Sequence, residues 1–112
     1  MQKLKSNARM SQIVIHNQTI YLSGQVGNVD EDISAQTLTC LNKVKDLLEE
    51  VGSDKSKILS ATVWVKSMDD FAAMNAVWDE WFSDTLPPAR ACGESALAHP
   101  DLLVEVTVIA AE

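Results

Sequence analysis

The apolar positions along this chain alternate between two periods, and each switch of period marks an element. Residues 1–10 are polar and predict a short or edge strand. Ile13-Val14-Ile15 and Thr19-Ile20-Tyr21-Leu22-Ser23 are then β-rich runs on either side of His16-Asn17-Gln18. Two such runs around an Asn-containing turn make a hairpin. Ser23-Gly24-Gln25-Val26-Gly27 ends the second strand with two glycines, which permit a positive φ or a close backbone approach. No phosphate-loop signature completes that stretch.

From Ile33 the period lengthens. Ile33, Thr37, Cys40, Leu41, Val44, Leu47, Leu48 and Val51 recur at helical spacing, with Lys43, Lys45, Asp46, Glu49 and Glu50 on the solvated face. Asp30-Glu31-Asp32 precedes the start, where acids suit the helix dipole, and Gly52 follows the end. A polar connection over Ser53 to Lys57 leads into the β-rich run Ile58 to Val65. Asp69-Asp70 opens a second helix whose apolar side carries Phe71, Met74, Trp78, Trp81 and Phe82, ending near Ser83-Asp84. Such a stripe packs against a sheet. Two last strands, about Arg90–Leu97 and Leu102–Ala111, are joined through His99-Pro100-Asp101. The result is an α+β domain over 1–112, with both helices on one face of a mixed sheet. The other face needs a cover. In so small a chain that cover is another copy, which predicts a closed homo-oligomer.

Composition narrows the classes. A chain of 112 residues, 46% apolar, is one domain with a modest core. A formal charge of −7 argues against a nucleic-acid binder or a partner for anionic membranes, because both need a basic surface. Two cysteines, Cys40 and Cys92, make no disulfide framework, and a reducing, cytoplasmic setting fits them best. The first residues lack the apolar stretch of a signal peptide, and no run is long enough to span a bilayer.

The chemistry concentrates near the C-terminus. Pro87-Pro88-Ala89-Arg90-Ala91-Cys92-Gly93-Glu94 sets a lone arginine among small residues, and Glu105 interrupts an otherwise apolar run. A buried carboxylate needs a partner or a task, since breaking such a pairing costs about 3–5 kcal/mol. Arg90 is the candidate for both. The plain alternative is a buried Arg90–Glu105 ion pair on neighbouring strands with no substrate involved. Cys40 lies on the apolar stripe and reads as a core residue. Cys92 has no histidine placed beside it by spacing, which disfavours a covalent nucleophile. His16 reads as a loop residue and His99 as a turn residue.

Pro88-Ala89-Arg90-Ala91-Cys92 followed by Val104-Glu105-Val106 resembles the signature of the reactive intermediate deaminase family, also called RidA, YjgF or endoribonuclease L-PSP. Ser23-Gly24-Gln25 and Phe71-Ala72-Ala73-Met74-Asn75 are similar to two further family segments, so the likeness runs from about Ser11 to the C-terminus. It implies a chorismate-mutase-like fold assembled as a homotrimer, with clefts between subunits. It also implies hydrolysis of enamines and 2-imino acids, such as 2-aminoacrylate, to 2-keto acids and ammonia, with no cofactor and no metal. An arginine fork suits the substrate carboxylate and a glutamate suits the attacking water. Arg90 and Glu105 take these roles, with Cys92 lining the pocket and Ser23 and Asn75 placed there by the resemblance. One departure stands out: counting back from Ser23 puts Met10 where the best-known branch carries a pocket tyrosine, which implies a sister subgroup. Arg9, beside it, is a candidate second cation. A small-molecule-binding or regulatory trimer without turnover is the alternative function. Ribonuclease or translation-inhibitor activity, a label carried by some relatives, fits poorly with the acidic charge.

Overall fold

The structure, a computed structural model, describes residues 1–112. The sheet begins with the predicted hairpin. Asn17 (φ 51°) and Gln18 (φ 64°) form the two-residue turn between β2 (Ser11–His16) and β3 (Thr19–Leu22). A positive φ at both positions matches the twist of the flanking strands and sets the register at His16 opposite Thr19. β1 (Gln2–Ser6) pairs outside β2 as the predicted edge strand. The chain then makes a strand too short to carry a period, β4 (Gln25–Val26).

α1 (Ile33–Glu50) starts where Asp32 accepts the Ala35 N–H at 2.9 Å, and Gly52, at φ 80°, turns the chain away from its end. β5 (Ile58–Val65) leads to α2 (Phe71–Trp81), and β6 (Ala89–Glu94) and β7 (Val104–Ala111) complete the fold. The strand order is β1-β2-β3-β7-β5-β6, with β4 also pairing β7. Only β5 and β6 run parallel, so the sheet is mixed. Both closing strands are shorter than the pattern suggests. The Leu103 N–H donates to Gln36 Oε1 (2.9 Å) and the Asp101 N–H to His99 Nδ1 (3.0 Å), which folds the stretch before Val104 into a turn.

Alternation sorts the sheet into two faces. Val104, Val106, Val108 and Ala110 of β7 and Ala61, Val63 and Val65 of β5 are buried under Cys40, Leu41, Val44, Leu47 and Leu48 of α1 and Met74 and Trp78 of α2. Both helices therefore cover one face, as predicted. Gln36, like its neighbour Thr37, is a polar residue fully buried on α1, and every polar group of its amide is engaged. Its Nε2 donates to the carbonyls of Glu31 (3.0 Å) and Asp101 (2.9 Å), while its Oε1 takes the Leu103 N–H. That amide ties the start of α1 to the turn that leads into β7.

The molecule measures 39 × 36 × 20 Å, a slab one helix layer and one sheet layer thick. The second sheet face is therefore bare. Tyr21 (44% exposed) and Trp64 (39%) lie on it, with half-buried Ile109 on the strand between theirs and half-buried Val14 on the far side of Tyr21.

Candidate functional site

The two residues singled out by the sequence lie on opposite faces of the sheet. Arg90 is paired with buried Ala61, and Cys92 with buried Val63, so both project on the helix side of β6. Glu105 is paired with Trp64 on β5 and with Val26 on β4, and it projects from the bare face. β5 separates the two strands. The alternative of an Arg90–Glu105 ion pair on neighbouring strands is not what forms: the ion pairs of the chain are Lys5–Glu50, Lys45–Glu49 and Lys55–Asp84. Glu105 is also half-buried and not enclosed in the core, because the strict alternation of β7 brings every second residue to the bare face.

Arg90 is held by α2 instead. Its Nη1 donates to Asn75 Oδ1 at 2.8 Å and lies 3.9 Å from Met74 Sδ. Its guanidinium carbon stands 4.9 Å from the Trp78 ring centre and 6.0 Å from that of Phe71. No carboxylate neutralises it. A guanidinium carries five N–H donors in a fixed fork, so the donors that Asn75 does not take remain open to a ligand. Asn75 thus touches Arg90, and Cys92 lies two residues along β6 on the same face.

Glu105 is seated on a glycine. A Cβ at Gly24 would stand 2.8 Å from Glu105 Cδ, 2.9 Å from its Oε2 and 3.1 Å from Thr107 Oγ1. The carboxyl therefore rests directly on the Gly24 backbone. Gly24 has no positive φ, so its role is close approach and not an unusual turn. Ser23 adjoins this contact and is tied down: its N–H donates to the Gln12 carbonyl (3.0 Å), and its Oγ lies 3.3 Å from Gln12 Oε1 and 3.2 Å from Gln25 Nε2. Trp64 flanks Glu105 on the other side, its indole lying over Gly93, where a Cβ would come within 3.0 Å of the ring. Met10 sits at the β1–β2 turn, 39% exposed, its N–H donating to Asn7 Oδ1 (3.0 Å) and its carbonyl accepting from the Asn7 N–H. Arg9 shares that turn through the same Asn7 oxygen, at 2.8 Å. Gln12 is a neighbour that the pattern did not single out, and Trp78 entered it only as part of the apolar stripe of α2.

Cys40 is a core thiol. Burial pushes its pKa up to about 12, and its Sγ lies 3.8 Å from the Val104 carbonyl. No three His, Cys, Asp or Glu side chains gather closely enough to hold a metal, and no helix is long and apolar enough to cross a membrane. The largest groove, about 640 Å³, runs past Leu38, Val77 and Trp81 on the outer side of the helices and touches neither Arg90 nor Glu105.

Comparison with known proteins gives this arrangement a context. The family model of endoribonuclease L-PSP matches residues 1–112. The RutC family protein YoaB of Escherichia coli K12 is 39% identical over 109 residues, covering 97% of this chain and 96% of that one. The chain belongs to the endoribonuclease L-PSP family. A 2-iminobutanoate/2-iminopropanoate deaminase of Salmonella typhimurium is 35% identical over 103 residues, covering 90% of this chain and 80% of its own. The crystal structure of a YjgF family member from Neisseria meningitidis superposes with a TM-score of 0.94 at 38% identity, covering 99% and 93% of the two chains. Within this L-PSP fold Arg90 stands at a sheet edge facing α2 and Glu105 on the bare face.

Proposed function

We propose that this protein is a deaminase that hydrolyses reactive 2-imino acids, and the enamines that tautomerise to them, to 2-keto acids and ammonia. The observation that carries the reading is Arg90, a guanidinium with no carboxylate partner and with its fork open beside Asn75. The name of the Salmonella relative supports the substrate class. The bare sheet face supports a homotrimer in which the Glu105 half of one copy closes on the Arg90 half of the next. Met10 and Ser23 line the Glu105 half, and Asn75 and Cys92 the other.

In that cleft the substrate carboxylate docks on Arg90 through paired N–H donors, fixing the neighbouring C=N carbon. Glu105 accepts a proton from a water as its oxygen attacks that carbon, and the C=N electron pair moves to nitrogen, which is protonated. Collapse of the tetrahedral adduct forms the keto C=O and expels ammonia. One water is consumed, one ammonia leaves, and nothing is oxidised.

The test generates 2-aminoacrylate in situ and follows its loss with wild type and Arg90→Ala. Wild type should accelerate the loss, and Arg90→Ala should be slower by about 10²-fold, because two charge-assisted hydrogen bonds are removed. Equal rates would sink the Arg90 assignment. A wild type that binds 2-keto acids without turnover would favour the binding or regulatory trimer.

A further inference from the structure

The residue that faces the Arg90 guanidinium is Trp78, 5% exposed and packed against Phe82 with ring centres 4.7 Å apart. It belongs to no part of the proposed chemistry. Phe71, Asn75 and Trp78 recur at i, i+4 and i+7, so one face of α2 presents all three to the same side chain. They hold it differently from an acid. A carboxylate brace would neutralise Arg90 and compete with the substrate for its donors. An indole face attracts the cation through its quadrupole and an amide oxygen takes one N–H, and neither cancels the charge. Arg90 stands on an edge strand, exposed, where a long side chain otherwise samples many rotamers.

We infer that Trp78 is a positioning residue for carboxylate recognition: its buried indole is the platform that holds the Arg90 fork in place while leaving its charge uncompensated. The inference rests on reading Arg90 as the substrate anchor. The platform lowers the ordering cost of binding, so its loss weakens affinity for the carboxylate and leaves the chemical step to Glu105.

The experiment measures calorimetric binding of 2-oxobutanoate to the assembled protein for wild type, Trp78→Tyr, Trp78→Leu and Arg90→Ala. It also records the NMR position of the Arg90 Nε–H. Trp78→Leu should bind about tenfold more weakly, while Trp78→Tyr, which keeps an aromatic face, should stay within about threefold of wild type. The wild-type Arg90 Nε–H should be ring-current shifted, and Trp78→Leu should return it to the ordinary arginine position. If Trp78→Leu is folded and binds like wild type while Arg90→Ala does not bind, Trp78 only fills the core and the inference is wrong, though the anchor reading survives. If wild type itself binds no 2-keto acid, the anchor reading falls and the inference with it. Should Trp78→Leu fail to fold, an unshifted Arg90 Nε–H in wild type would by itself refute the platform.

Discussion

Two alanine substitutions, three residues apart in sequence, should separate function from stability. A methyl group at Gly24 meets Glu105 Cδ at 2.8 Å and Oε2 at 2.9 Å. Ordinary contact needs about 3.5 Å, so the carboxyl must retreat by roughly 0.7 Å. Gly24 has no positive φ, and Glu105 is a half-buried side-chain end that is free to swing. Gly24→Ala should therefore change stability by no more than about 0.5 kcal/mol. Its deaminase rate should fall by about 10²-fold, the expected effect of a misplacement of this order in a catalytic group. Gly27→Ala is the contrast. Its methyl meets the Gln36 Cα at 2.8 Å and Cβ at 3.0 Å, and the backbone of α1 cannot swing aside. Overpacking of that kind costs about 1–3 kcal/mol, with a fall in Tm of about 4 °C or more per kcal/mol in a domain of this size. The rate per folded chain should stay near wild type. Melting curves must be taken at one protein concentration, because assembly makes Tm depend on it. Equal loss of Tm in the two variants, or a full rate in Gly24→Ala, would refute the claim that Gly24 seats Glu105.

Three other substitutions test the frame. Gln36→Leu strands the carbonyls of Glu31 and Asp101 and the Leu103 N–H, and should cost about 3–5 kcal/mol in chemical denaturation; a loss below 1 kcal/mol would show that the tie to the turn before β7 is dispensable. Gln18→Gly should raise stability by about 1 kcal/mol, since Gln18 holds φ 64° in the hairpin turn, and an unchanged Tm would contradict that turn. Cys40 sets an alkaline limit. Its folded pKa is raised from the ordinary 9.0 to about 12, so above pH 9 the unfolded chain binds fewer protons than the folded one. Its contribution is whole below pH 9 and is lost as pH rises toward 12, at up to about 1.4 kcal/mol per unit. A Cys40→Ala variant should show a shallower decline over that window, and thiol reagents should reach Cys40 only on unfolding.

The helices, their apolar stripes and the hairpin were legible because each rests on local periodicity. Arg90 and Glu105 were legible as anomalies, a lone charge among small residues and an acid in an apolar run. Their relation was not. Parity along a strand does not carry across the connection from Glu94 to Val104, and insertion of β5 between β6 and β7 is decided by tertiary pairing. Gln36 shows a missed inference. It sits three residues after Ile33 and four before Cys40, on the stripe itself, where a polar residue signals a buried hydrogen-bond task as plainly as Glu105 did. Trp78 was read correctly as core, but nothing in sequence spacing could tell that one face of its ring meets a strand residue twelve positions away.

The division of Arg90 and Glu105 between two faces has a genetic consequence. The working unit in the proposed trimer is a junction between copies, so no single chain owns an active site. Dilution below the assembly threshold would abolish activity, not merely slow it. Two chains, one lacking Arg90 and one lacking Glu105, would each be silent alone yet rescue one another when co-assembled. With random mixing in equal amounts, about one junction in four would bring the intact half of each together. Heterozygous damage to this protein would thus behave as a property of interfaces, and two inactive alleles could make an active enzyme.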